Sequence, residues 1–210
     1  LGDVYKRQKY ILPHLLNCTC NQKPFIHQRR KVVPLAKGNI LEIGIGSGLN
    51  IPFYEAEGID KIWGIDPSEE LVAMAKNQVK DDTPDIEFII SKAEEIDFDD
   101  AFFDTILMTY TMCTITNLSE AFTQLKRVIK PTGKLIFCEH GMAPDKNVIK
   151  WQNRINTFWP KISGGCNINK EIPSIIESSG FSILDLENMY LPKTPKVLGY
   201  NYWGTATLNS

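Results

Sequence analysis

The stretch Leu41-Glu42-Ile43-Gly44-Ile45-Gly46-Ser47-Gly48 decides how this chain is read: an apolar run carrying one acid, then three glycines at alternate positions. The run reads as a buried strand, and the glycines as a tight turn into a helix whose backbone passes close beneath a ligand. A dinucleotide fingerprint needs Gly-x-Gly-x-x-Gly/Ala, its third small residue packing helix against strand. Counted from Gly44 or Gly46, that place holds Leu49 or Ile51, both too large. The spacing leaves no seat for a pyrophosphate, and a ligand with a ribose and a positive charge suits it better.

Outward from this turn, strand-like runs alternate with segments of helical period, the pattern of a parallel sheet covered on both faces. Strands are expected at residues 39–43, 61–65, 86–90, 103–108 and 134–138, with two late ones at 182–186 and 200–207. Leu71, Met74, Ala75 and Val79 form one helical stripe, and Phe122, Leu125 and Ile129 another. Residues 148–158 read as a helix flanked by Trp151 and Trp159, Gly164-Gly165 as a break, and 171–179 as a further helix. The fold class is α/β: a single doubly wound, mostly parallel seven-stranded sheet with helices on both faces, over residues 39–210. Residues 9–38 are expected to form a helical lid across the cleft. Residues 1–8 read as a translated cloning-derived end and are set apart from the fold.

Composition narrows the function. A formal charge of −2, with Lys and Arg spread along the chain, offers no electrostatic footprint for nucleic acid. Five cysteines without paired Cys-x-x-Cys spacing point to neither a disulfide framework nor a structural zinc site, so no metal is expected and a reduced, cytoplasmic setting is. The early apolar run from Tyr10 to Leu16 is broken by Pro13 and His14 and falls short of the roughly 20 residues of a membrane span.

Further motifs follow the glycines in order. Asp66 closes the second strand where an open α/β fold puts the acid that accepts ribose hydroxyls. Asp66-Pro67-Ser68-Glu69 also reads as a helix cap with proline in the first turn, so both roles stay open. Ala93-Glu94 follows strand three, Phe103-Asp104 opens strand four, and Arg127-Val128-Ile129-Lys130-Pro131-Thr132-Gly133 forms a turn before strand five. Together these resemble the motifs of the class I S-adenosylmethionine-dependent methyltransferases, with Thr132 in place of that turn's first glycine. A narrower resemblance runs through Val33-Pro34-Leu35-Ala36-Lys37-Gly38, Gly48-Leu49-Asn50-Ile51-Pro52-Phe53-Tyr54, Glu139-His140, Trp151-Gln152 and Gly165-Cys166-Asn167. It is similar to the bacterial relatives of the methyltransferase-like thiol methyltransferases, often described as type 11.

The resemblance implies S-adenosyl-L-methionine as cofactor, its amino-acid end held by Glu42, Gly44, Gly46, Gly48 and Asn50. It places the ribose on Asp66, the adenine by Ala93 and Glu94, and the sulfonium beside Thr109. Thr109-Tyr110-Thr111-Met112 stands where enzymes that methylate nucleic-acid amines carry Asn/Asp-Pro-Pro-Tyr/Phe, a second argument against a base as acceptor. A small, apolar methyl acceptor is expected, a thiol first, with a phospholipid amine or another nitrogen or oxygen acceptor behind it. A nucleic-acid or protein methyltransferase and a non-catalytic adenosyl-binding module are the alternatives. His140, at the end of strand five, is the candidate catalytic base, its alternative a hydrogen bond to the lid or the following helix. Cys166 reads as a loop or core residue rather than a nucleophile, and Cys18 with Cys20 as too few ligands for a metal. Peripheral membrane contact stays open, and the oligomeric state is not legible.

Overall fold

Near-continuous apolar runs in the central strands dictate two buried faces, and the computed structural model, which describes residues 20–209, has them. The expectations for residues 1–8, for the first part of the lid and for Cys18 lie outside the described residues. Seven strands form one sheet: β1 (Gly38–Ile43), β2 (Ile59–Asp66), β3 (Ile86–Ile90), β4 (Phe103–Thr109), β5 (Ile129–His140), β6 (Phe181–Tyr190) and β7 (Tyr200–Leu208). Their order is β3-β2-β1-β4-β5-β7-β6. The first five strands pair in parallel, whereas β7 runs antiparallel to both β5 and β6. The chain reverses its winding between β1 and β4, and the crevice beyond the carboxyl ends of those strands is where ligands bind in open α/β sheets.

On one face Leu41 and Ile43 of β1, Ile106 and Met108 of β4 and Leu135 and Phe137 of β5 form a core. Helix α3 (Leu118–Val128) covers it through Ala121, Phe122, Leu125 and Val128, and α6 (Ile172–Ser178) through Ile172 and Ile176. The intervening residues Ile40, Leu107, Ile136 and Cys138 face the other way, against Val32, Val33 and Ala36 at the end of α1 (Lys23–Val32). Helix α2 (Glu69–Lys76) follows β2, and α4 (Lys146–Asn156) with the one-turn α5 (Trp159–Ile162) follows β5.

Several local expectations need correction. The glycine turn leads not into an α-helix but into a single 3-10 turn, Ile51–Phe53, with Pro52 in its first turn. Val79 lies beyond the end of α2 and is exposed, because the helix stops at Lys76. Ile129 belongs to β5 and not to the stripe of α3. Residues 130–133 are accordingly no turn before the strand: β5 starts at Ile129, pairs it with Phe103, and shifts register before Lys134 pairs with Thr105. The helix expected over 148–158 ends at Asn156, and Trp159 opens a separate turn.

The Phe-Asp and Lys-Pro motifs lie at the amino ends of the inner strands, opposite the glycine turn. Asp104 Oδ2 accepts from the Asn39 amide at 3.0 Å, and Asp104 Oδ1 from Lys130 Nζ at 2.7 Å, tying β1, β4 and β5 together at their start.

Candidate active site

At the carboxyl ends of β1, β2, β4 and β5 lie two adjoining cavities of about 380 Å³ each, which share Gly44, Asp66, Leu71, Thr111 and Thr114. Each falls within the ordinary size of a small-ligand site. Ala93 and Glu94 border one, with Ser68 and Ile115. Gly46, Arg29, Thr109, Tyr110, Cys113, His140, Trp159 and Cys166 border the other.

Asp66 stands between the two. Its Oδ2 accepts from the Gly46 amide at 3.0 Å and its Oδ1 from the Ser68 amide at 2.9 Å, which leaves lone pairs on both oxygens. Burial pushes its pKa up, against those two amide bonds. The helix cap is a different residue: Ser68 Oγ accepts from Leu71 N at 3.2 Å, so Asp66 is free of that duty.

Gly46 and Gly44 both take left-handed backbone conformations, φ 55° and 70°. A Cβ on Gly44 would lie 2.1 Å from Thr111 Oγ1, whereas one on Gly46 would meet nothing nearer than the Gly44 carbonyl at 3.8 Å. The space over Gly46 is therefore the cavity itself. Gly48 plays another part, since its Cβ would stand 2.9 Å from the Ala75 Cα and push α2 away.

Glu42 and Asn50 do not line either cavity. Both are fully buried behind it, where Glu42 Oε1 accepts from Asn50 Nδ2 at 2.8 Å and Glu42 Oε2 from the Tyr54 hydroxyl at 2.6 Å. Burial raises the Glu42 carboxyl to about 7, although its two hydrogen bonds and Arg29 oppose the shift. Arg29 is the residue that sequence reasoning missed. On α1 it sits in Gln28-Arg29-Arg30-Lys31, which reads as a solvated basic face, yet it is 5% exposed. Its Nη1 donates to Asn50 Oδ1 at 2.6 Å and Thr109 Oγ1 at 2.7 Å, while Nε has no partner among the described residues. The signal that could have found it is its spacing to Val32 and Val33 on one helix face, which would carry Arg29 inward with them.

Beyond Thr109, Tyr110 is held at φ 56°, with its hydroxyl on Asn201 Oδ1 at 2.6 Å and the Arg29 guanidinium over its ring. Such a conformation persists only where its surroundings fix it. Glu139, fully buried, does part of that work: its Oε1 accepts from the Thr111 and Met112 amides. His140 faces the cavity but does not stand alone, because its Nε2 lies 3.2 Å from Cys166 Sγ. A hydrogen bond with Cys113, and then the charge of His140, bring the Cys166 thiol down to about 4 against burial. Burial presses the His140 pKa down, yet it moves up, because the charges of Cys166 and Glu139 together outweigh burial. Residues 113, 140 and 166, far apart in sequence, thus meet in one corner of the site.

Glu94 Oε1 accepts from the Asn117 amide at 3.1 Å, so one of its oxygens is already engaged. Substituting Asp66 with asparagine should lower affinity for an adenosyl ligand about tenfold, roughly 1.4 kcal/mol. The amide replaces one acceptor by a donor that opposes the Gly46 or Ser68 amide. Titration calorimetry with S-adenosylhomocysteine checks this, and unchanged affinity would take Asp66 out of the site.

Comparison with known proteins gives the arrangement a context. A family model described as a methyltransferase domain matches residues 41–137. Thiol S-methyltransferase TMT1B of Rattus norvegicus is 28% identical over 169 residues, which cover 76% of this chain and 68% of that one. Thiol S-methyltransferase TMT1A of Homo sapiens is 26% identical, covering 80% of this chain and 71% of the relative. A phosphatidylethanolamine N-methyltransferase of Cereibacter sphaeroides is 31% identical over a shorter 111 residues, 52% of this chain and 53% of its own. Among solved structures, a SAM-dependent methyltransferase of Leishmania major superposes with a TM-score of 0.70 at 13% identity, over 98% of this chain and 82% of that one. One of Methanosarcina mazei does so with 0.65 at 19%, over 81% and 92%. At such identities the structural likeness bears on the fold.

Proposed function

The chain is a class I S-adenosylmethionine-dependent methyltransferase, and on that premise we propose that it methylates a small apolar thiol. The observation that carries this reading is the cavity holding Cys166 and His140, walled by Phe25, Tyr110, Trp159, Ile168 and Leu198. An apolar acceptor would be desolvated there beside a His140 cation able to favour its thiolate. The names of the relatives, thiol S-methyltransferases among them, point the same way.

The residues present fit the cofactor. The open space over Gly46 leaves room for a ligand, Asp66 keeps lone pairs for a diol, and Arg29 brings a buried charge with an unpartnered Nε to the same cavity. Ala93 and Glu94 would border the adenine, Asp66 would accept from the ribose, and Gly44, Gly46, Thr109 and Arg29 would surround the amino-acid end. Glu42 and Asn50 act from behind by fixing the guanidinium. When bound, the cofactor supplies a methyl group already activated on a sulfonium. The chain has mainly to align the acceptor with it, a contribution of up to about 7–11 kcal/mol.

A thiol of pKa about 8.5 is only about 3% ionised at pH 7, so removing its proton is worth at most about 30-fold, roughly 2 kcal/mol. His140, which the Cys166 thiolate holds toward its cationic form, would favour the acceptor thiolate by its charge. Replacing His140 with alanine should lower kcat/KM for an alkyl thiol up to 30-fold at pH 7, and the deficit should close above the thiol's own pKa. A deficit independent of pH would remove that role.

The reading itself is tested with radiolabelled methyl transfer across alkyl thiols, ethanolamine phospholipids and quinol precursors. Labelled thioether from the thiols is expected, and labelled lipid with no thioether would overturn it. The phospholipid amine is retained as second reading because Trp151, Phe158 and Ile162 are exposed on α4, the residues after it and α5, alongside Lys150, Arg154 and Lys161. Apolar and basic groups together suit an anionic lipid surface.

A further inference from the structure

The corner formed by Cys113, His140 and Cys166 holds more than a single charge beside the acceptor requires. Their two sulfurs and the imidazole nitrogen all lie within 4.8 Å of one another, with Cys166 Sγ 3.2 Å from His140 Nε2. Tetrahedral zinc separates a sulfur and a nitrogen ligand by about 3.6 Å and two sulfurs by about 3.8 Å, so side-chain shifts of about 1 Å or less suffice. Each ligand comes from a separately anchored segment. The turn carrying Cys113 hangs on Glu139 Oε1 through the Thr111 and Met112 amides. His140 ends β5, and the segment of Cys166 is tied down by Asn167, whose Nδ2 and amide both donate to the Cys113 carbonyl.

Beside them Glu139 Oε2 is buried with no hydrogen-bond partner among the described residues. Lys170 spends its Nζ on the Met112 and Ile115 carbonyls. All three ligating residues also border the acceptor cavity.

We propose that Cys113, His140 and Cys166 bind a zinc ion, drawn from the medium, whose fourth position opens into the acceptor cavity and holds an alkyl thiol as thiolate. Three protein ligands with one open position is the arrangement of catalytic rather than structural zinc. The fourth ligand rests on the thiol reading above; the metal site does not. The thiol's S–H bond breaks, its proton goes to solvent, and a zinc–sulfur bond forms. On methyl transfer a carbon–sulfur bond forms at that sulfur as the donor's carbon–sulfur bond breaks. The neutral thioether, a poor ligand, then leaves zinc. Coordination removes the proton outright and so lifts the ionised fraction above the few per cent available to a free thiol.

The full chain, reduced, stripped with a chelator and reloaded, should retain one equivalent of zinc through desalting. Its cobalt(II) form should show sulfur-to-metal charge-transfer absorption that an added alkyl thiol alters. Cys113→Ser and Cys166→Ser should each weaken zinc binding at least 100-fold while still binding S-adenosylhomocysteine, which shows that they fold. Cys20→Ser, at the cavity rim, should keep its zinc; loss there would mean a closed four-ligand site and overturn the open position. No zinc in the reduced wild type, a Cys113–Cys166 disulfide in its place, or zinc retained by both serine variants would each overturn the proposal. So would a cobalt spectrum blind to thiols. Full thiol methylation by the metal-free chain would sink the zinc role and leave the thiol reading standing. A thiol-sensitive cobalt spectrum with no thioether product would do the reverse.

Discussion

Replacing Gly46 with leucine is expected to weaken S-adenosylhomocysteine binding at least 100-fold, about 2.8 kcal/mol, while the protein stays folded. The side chain would enter the cavity, since the Gly44 carbonyl at 3.8 Å is its nearest neighbour. An L-residue at φ 55° also carries backbone strain of roughly 1–2 kcal/mol, which in a chain of this size lowers Tm by a few degrees. Gly46→Asn separates the two effects, because asparagine tolerates left-handed backbone and brings less bulk. Calorimetry and thermal unfolding on both variants decide the matter. A leucine variant that binds within tenfold of wild type would mean the ligand lies elsewhere.

Arg29→Met should cost about 2–3 kcal/mol of stability and at least tenfold in cofactor affinity. It strips Asn50 Oδ1 and Thr109 Oγ1 of their donor and leaves Glu42 without its cation. The pH dependence carries a distinct signature. The Glu42 carboxyl titrates near 7 in the folded chain, above its ordinary value of 4.5, so folding takes up a proton between those values. Stability from this group is therefore present in acid, falls as pH rises through that window, and levels off above about 7. Without Arg29 the carboxyl moves further up and the loss continues to higher pH. The deficit of the variant should thus be larger at pH 8 than at pH 6, by roughly 1 kcal/mol. Glu139, also raised to about 7, is common to both proteins and drops out of the difference. Denaturant unfolding at the two pH values checks this, and an equal deficit at both would exclude coupling between Arg29 and Glu42.

Short apolar runs made the sheet legible, and each of the expected strands is present, β3 with its expected bounds and the others extended at one end or both. The errors cluster where local pattern competes with tertiary pairing. Ile129 has the spacing of a helix stripe, but its partner Phe103 draws it into β5. The glycine turn was legible as a tight turn because Gly44 and Gly48 leave no room for a Cβ and all three glycines take left-handed backbone, demands that a short motif can encode. Arg29 was not, because a basic run looks alike whether solvated or buried until the sheet it packs on is known. Nor could spacing reveal the meeting of Cys113, His140 and Cys166, which three segments far apart in sequence bring together.

The order β3-β2-β1-β4-β5-β7-β6 divides labour across the sheet. Most residues proposed to hold the donor follow β1, β2 and β3, joined by Arg29 on α1 and Thr109 at the end of β4, whereas the acceptor corner is built from the segment after β4, the end of β5 and the segment after α5. Strand ends locked in parallel pairing resist change; the segment at 163–169 carries no regular structure. Descendants of this chain could therefore exchange one acceptor for another by altering that segment alone, without relearning how to bind the methyl donor. Divergence among such enzymes would be recorded in the second half of the chain and muted in the first.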